Sequence, residues 1–294
     1  MDIGSIANHR AREAGILVYP VYSRRSQGLS VGINLFPDVK VCSFDCPYCE
    51  VFPFKTDTRF STAALETELR STLLRLKAQG AAIRDLCFSG NGEPTLAPAF
   101  PEALEAASLI RDEVVPDADL VVITNGTGLL NDRTFALLHR AATGHTGLNI
   151  WLKLDAGTEG WYQELDRAQI PFAQLIGKIK EFLGCAPVTL QTMLCSVKGK
   201  PPSPEEAAAW EALVVELAGI ARAASRGAAS QDVELPGIRD LQIYGKARPA
   251  PEDPLATALP ISYLEARAAS IRTALERGGL QDPSGKAILV RVFP

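Results

Sequence analysis

The sequence predicts an α/β fold, a partial (β/α)6 barrel with parallel strands and short N- and C-terminal extensions. Three observations carry that expectation. From about Ser30 onward, short β-rich runs alternate six times with longer helical stretches, and parallel neighbours need such crossover connections. The chain has 294 residues and 47% hydrophobic content, enough for one barrel of about 200–250 residues plus extensions. Several strands also have one polar face, whereas parallel strands buried on both sides read as unbroken apolar runs.

Taken in order, the strands are expected at residues 31–35, 86–89, 120–124, 149–155, 188–195 and 241–244. The helices between them are expected at 62–79, 99–113, 132–140, 172–183 and 205–224. Asn131 suits the N-cap of the third helix, and Pro204 the first turn of the fifth. Pro-rich stretches at 200–204 and 248–254 read as loops, and a helix over 261–277 and an apolar strand over 287–293 close the chain. The domain reading is an extension over 1–29, the barrel over 30–245 and a second extension over 246–294. In the fourth strand Ile150, Leu152 and Leu154 oppose Trp151, Lys153 and Asp155 by the period of two. The fifth sets Val188, Leu190 and Leu194 against Thr189, Gln191, Met193 and Cys195, and the sixth sets Leu241 and Ile243 against Gln242 and Tyr244. The apolar face would pack on helices, and the polar face would line a cavity.

Composition narrows the function classes. Net charge is −4 and the pI about 5.6, which gives no general attraction to nucleic-acid phosphates and disfavours RNA as a partner without excluding a local basic patch. The apolar runs are too short to span a bilayer, so no membrane partner is expected. Residues 1–10 hold an acid and no hydrophobic h-region, so no secretory signal is expected. Six cysteines without such a signal argue for reduced thiols in the cytoplasm.

Three of those cysteines fall within eight residues: 41–50 reads V-C-S-F-D-C-P-Y-C-E. Cys42, Cys46 and Cys49 thus stand on a loop directly after the first strand. Three thiolates can each bind one iron of a four-iron cubane and leave the fourth iron open. Structural zinc wants four ligands, yet Cys87 is far along the chain and His9 well upstream. Core cysteines would not cluster around Asp45 and Pro47. The metal ligands are therefore assigned to Cys42, Cys46 and Cys49.

The cysteine spacing, with aromatic Tyr48 before the third cysteine, resembles the signature of the radical S-adenosylmethionine (SAM) superfamily. Ser89-Gly90-Asn91-Gly92-Glu93 after the second strand resembles its Gly-Gly-Glu motif, which binds the SAM amino group; Asn91 interrupts the glycine pair. Glycines let backbone approach a ligand closely, and Glu93 can pair with an ammonium. Tyr22–Arg25, Gly28–Asn34, Trp151–Ala156, Gln191–Met193 and Gln242–Tyr244 are similar to a small single-domain group related to the tRNA wyosine-synthesis enzymes. The resemblance implies a [4Fe–4S] cluster, SAM, a 5′-deoxyadenosyl radical and a reductase, ferredoxin or flavodoxin as electron donor. It names no substrate.

Active sites of parallel barrels lie at the C-terminal ends of the strands, which puts Thr124, Asn125, Lys153, Asp155 and Cys195 on the rim of the cysteine loop. By analogy with the superfamily, Thr124, Asn125, Lys153 and Asp155 hold the SAM ribose and carboxylate, although Lys153 and Asp155 could equally neutralise one another. Gln191, a buried amide in need of partners, is assigned to SAM or substrate. Tyr48 either packs near the adenine or shields the cluster. Arg24 and Arg25 read as a solvated turn, or as an anchor for an acidic group. Cys195 is the candidate hydrogen-atom donor, while Cys87 and Cys185 read as small buried residues. A second cluster is not expected, because Cys185 precedes the fifth strand and Cys195 ends it. The expected activity is radical SAM chemistry on a small molecule or peptide. Wyosine-type tRNA modification is the alternative enzyme, and an iron–sulfur electron carrier the alternative class; a carrier needs neither the Gly90–Glu93 turn nor a polar strand face.

Overall fold

The structure is a computed structural model that describes residues 15–51, 53–225 and 236–294. The expectation of no secretory h-region over 1–10 lies outside the described residues. The fold is α/β, and sheet order follows chain order from the first strand to the eighth, as in a partial barrel. The chain divides into two compact units.

The first unit comprises the chain up to Cys42, Val51–Thr124 and Thr146–Asn149. It contains β1 (Val18–Ser23), β2 (Gly28–Ile33), α1 (Thr62–Ala78), β3 (Ile83–Phe88), α2 (Phe100–Val114) and β4 (Asp119–Thr124). β1 pairs antiparallel with β2, whereas β2–β3 and β3–β4 are parallel. The sequence reading has no strand at β1. Pro20 cannot donate to a ladder, which demotes such a run when read locally; the first position in sheet order tolerates it. Gly32 on β2 is required by this pairing, since a Cβ there would come 2.2 Å from the Tyr19 ring. α1 begins where Ser61 Oγ accepts from Ala64 N at 3.1 Å. It buries Leu65, Leu69, Leu73 and Leu76, one helical face at spacings of three and four.

The second unit comprises Ser43–Glu50, Asn125–His145 and Ile150–Pro294. It contains α3 (Asp132–Thr143), β5 (Leu148–Lys153) from Ile150 onward, α4 (Glu159–Leu165), α5 (Phe172–Leu183), β6 (Pro187–Leu194), α6 (Pro204–Ser225), β7 (Gly237–Gly245), α7 (Ile261–Arg277) and β8 (Leu289–Phe293). β5 to β8 are parallel neighbours in succession. Asn131 caps α3 as expected, its side chain accepting from Arg133 N and Thr134 N. The two-faced strands are present, and cross-strand bonds join polar side chains of β6 and β7. Register places Gln191 beside Gln242 and Thr189 beside Asp240. Gln191 Nε2 donates to Gln242 Oε1 at 2.7 Å, and Thr189 Oγ1 donates to Asp240 Oδ1. Both glutamines are buried, so pairing between strands meets part of the polar need that the sequence reading gave to a cavity.

Candidate cofactor-binding site

In the first unit, β3 delivers Ser89–Glu93 into a turn that the residue before Cys42 holds in place. Glu93 N donates to the Val41 carbonyl at 2.8 Å, and Val41 bridges to Gly92. Gly92 has φ +152, and a Cβ there would sit 1.9 Å from the Val41 oxygen. Gly90 packs as closely on Asn34, with an added Cβ 2.9 Å from the Asn34 Cβ. These two approaches are why the motif needs glycine on either side of Asn91, itself at φ 21. Ser89 Oγ lies 3.2 Å from the Tyr19 hydroxyl. Glu93 is buried at 3% exposure and caps the short 3-10 turn Pro94–Leu96. Its Oε1 accepts from Thr95 N at 3.2 Å, Thr95 Oγ1 at 2.5 Å and Thr124 Oγ1 at 2.6 Å. Three donors on one oxygen fix the carboxylate's orientation, as a site for a cationic group requires. Thr124, at the end of β4, thus acts on Glu93.

The second unit holds the loop Ser43–Glu50. Asn125 Nδ2 donates to Ser43 Oγ at 3.0 Å, while its Oδ1 accepts from Thr127 N and Thr127 Oγ1. Asp45 N donates to the Asp166 carbonyl at 2.9 Å, and Cys46 Sγ lies 3.5 Å from Asp166 Oδ1. The Tyr48 hydroxyl donates to Asp155 Oδ2 at 2.7 Å and reaches Asp166 Oδ1 at 3.2 Å. Lys153 Nζ is 2.5 Å from Asp155 Oδ2 and 3.3 Å from the Tyr244 hydroxyl, and lies over the rings of Tyr48 and Tyr244. Asp155 Oδ1 accepts from Met193 N at 2.8 Å. Lys153 and Asp155 are thus ion-paired within a larger buried network.

Electrostatics follow from that packing. Two carboxylates share a tyrosine with one proton to give. Burial, then the charge of Asp155, pushes Asp166 up to about 7. Burial pushes the Cys46 thiol up, and Asp166 adds to it. Burial works against the Lys153 charge, but Asp155 and Tyr244 outweigh it and its pKa is raised. Asp166 and Lys246 are absent from the sequence reading. Asp166 ends α4, a helix the reading treats as connection, and Lys246 is a lone lysine after β7; neither stands in a motif.

The other candidates separate clearly. Cys195 is buried in an apolar cluster with Met193, Val197, Tyr244 and Phe293, and burial, then Asp155, pushes its thiol up to about 12. Such a thiol stays protonated at neutral pH. Cys87 is buried, but Cys185 is only half-buried, its thiol donating to the Phe182 carbonyl at 3.3 Å. Arg24 and Arg25 lie in the turn joining β1 to β2.

Cys42, Cys46 and Cys49 are unbridged and partly open to solvent. Among the described residues, no three His, Cys, Asp or Glu side chains converge as a preformed metal site. The donor chemistry nonetheless suits iron: three thiols outside any disulfide follow one another in a short segment, the first joined to a residue bonded to the Gly92–Glu93 turn.

Comparison with known proteins adds to this geometry. No family model matches the chain. A UPF0026 protein of Helicobacter pylori is 35% identical over 119 residues, 40% of this chain and 37% of that protein. A radical SAM methyltransferase from Sphaerobacter thermophilus superposes with a TM-score of 0.58 at 15% identity, covering 93% of this chain and 68% of that one. Streptococcus suis SuiB bound to S-adenosylmethionine gives 0.56 at 11% identity, covering 86% and 48%. At these identities the two structures show a shared fold, and the chain spans little more than a third of the UPF0026 relative's length. No helix among the described residues is long and apolar enough to cross a membrane.

Proposed function

We propose that this protein is a radical SAM enzyme acting on a small molecule or peptide. One observation carries the reading: the cysteine loop begins at a residue whose neighbour, Val41, is bonded to the Gly92–Glu93 turn. An electron carrier would need the thiols but not a buried, oriented carboxylate in a glycine-flanked turn. Cys42, Cys46 and Cys49 would hold a [4Fe–4S] cluster. With an electron from a reductase, ferredoxin or flavodoxin, the cluster would break the C5′–S bond of SAM, giving methionine and a 5′-deoxyadenosyl radical that takes hydrogen from substrate. Glu93 binds the SAM ammonium, and Gly90 and Gly92 keep backbone close around it. Thr124 orients Glu93, and Asn125 and Tyr48 secure the loop. Lys153 and Asp155 offer a cation and a carboxylate to the SAM carboxylate and ribose. Cys195, its thiol kept protonated by burial, would give the S–H hydrogen atom to a substrate radical, leaving a thiyl radical for the electron donor to reduce. The net charge of −4 favours a compact substrate over tRNA.

The test is anaerobic reconstitution with iron and sulfide. About four irons per chain are expected, with formation of 5′-deoxyadenosine and methionine after reduction. Cys42→Ala, Cys46→Ala and Cys49→Ala should each lose the iron. Full iron content in all three variants would sink the assignment. Saturable binding of one tRNA, with appearance of a modified nucleoside, would instead favour the wyosine-type activity.

A further inference from the structure

Lys246 follows β7 directly and is buried at 7% exposure. Its Nζ donates to the Tyr48 carbonyl at 3.1 Å and to the Arg248 carbonyl. Arg248 in turn reaches Glu50 Oε2 at 3.2 Å, with both side chains largely covered. The two contacts fall on either side of Cys49: one on the backbone between the second and third cysteines, the other on the residue after the third. A buried ammonium is costly to desolvate, and here it spans carbonyls of two separate segments. A hydrophobic residue would fill that space at lower cost, so packing alone does not explain a lysine at this position.

We propose that Lys246, backed by Arg248, is a positioning residue that sets the Tyr48–Glu50 backbone so that Cys49 is presented to the cluster. It also places a positive charge beside the cluster loop. This rests on the cluster reading above. Groups that orient metal ligands typically change metal affinity about 10- to 100-fold when removed, and nearby charge and hydrogen bonds set cluster potentials.

The experiment compares Lys246→Met, Lys246→Arg and Arg248→Met with the parent, each as full chain reconstituted anaerobically. Three quantities are read: iron loss to a chelator, the electron paramagnetic resonance spectrum of the reduced state, and the midpoint potential. Lys246→Met should lose iron about 10-fold faster, with an altered spectrum and a more negative midpoint, because removal of a cation disfavours the reduced cluster. Lys246→Arg, which keeps charge and donors, should fall between Met and parent. Arg248→Met should move the same readouts less, and it decides the matter if Lys246→Met does not fold. A folded variant pair matching the parent in all three quantities would overturn the positioning role. A parent that takes up no iron would overturn the cluster reading itself, and this inference with it.

Discussion

Gly92→Ala probes the join between the cysteine loop and the Gly90–Glu93 turn. The added Cβ would stand 1.9 Å from the Val41 oxygen and 2.8 Å from its carbonyl carbon. Both neighbours are backbone, so no rotamer change relieves the contact; the two segments must part. Two costs combine. Overpacking of a tight site costs roughly 1–3 kcal/mol, and a backbone conformation reserved for glycine, here φ +152, costs roughly 1–3 kcal/mol more. The expected loss is therefore about 2–6 kcal/mol, a large share of the roughly 5–15 kcal/mol typical of a folded chain. At about 2–4 °C per kcal/mol for a chain somewhat smaller than this one, Tm should fall by about 4–24 °C. Gly80→Ala separates the two costs: Gly80 has φ +73 with nothing within 4 Å of an added Cβ, so only the conformational part, about 1–2 kcal/mol, applies. Thermal unfolding followed by circular dichroism reads both variants. If Gly92→Ala melts no lower than Gly80→Ala, the Val41–Gly92 contact is not the constraint argued here.

Two further outcomes follow from the first unit. Glu93→Gln keeps Oε1 for Thr95 and Thr124 but removes the charge. A charge-assisted bond is worth about 1.5–3 kcal/mol, so SAM affinity of cluster-loaded protein should fall about 10- to 100-fold by calorimetry; equal affinity would reduce the motif to a turn. Asp85 is raised by burial, partly offset by bonds from Ser26 and Ser30, so its unfolded form ionises first. Stability should decline as pH rises from about 4 through its raised folded value, and denaturant titrations of Asp85→Asn should show that slope flattened.

Long periodic elements were legible because local pattern and packing agree there. α5 (Phe172–Leu183) and α7 (Ile261–Arg277) have the expected bounds, each carrying one apolar face between clear stops. β1 was not legible, because Pro20 speaks against a strand locally and only pairing with β2 decides otherwise. α4 spans seven residues, less than two turns of pattern, though Thr158, which accepts from Trp161 N at 3.2 Å, is an N-cap that could have marked it. Within the site, Glu93 was legible from its motif. Its donor Thr95 is local, two residues on, and Thr124, read from its place at a strand end, meets Glu93 through tertiary placement; Asp166 and Lys246 also act through tertiary placement and were not read.

The second unit shows why those unread residues matter. Its loop Ser43–Glu50 is tied by Asn125 at Ser43, by the Asp166 carbonyl at Asp45, by Lys246 at Tyr48 and by Arg248 at Glu50. Arg167 adds a 3.8 Å contact to Asp45 and pairs with Glu252. Each of these ties grips a residue between or beside cysteines, not a cysteine. A loop held in this way spends its fixed geometry on the spacers, and ordering those spacers in advance lowers the entropy that metal capture must overcome. Exposed pairs such as Arg167–Glu252 contribute little. The buried ties, Asn125 to Ser43 and Lys246 to Tyr48, carry most of that ordering, because breaking either leaves polar groups desolvated without a bond. In the radical SAM reading proposed above, the cysteine motif would supply the ligands, and side chains far along the chain would set the shape in which they are offered.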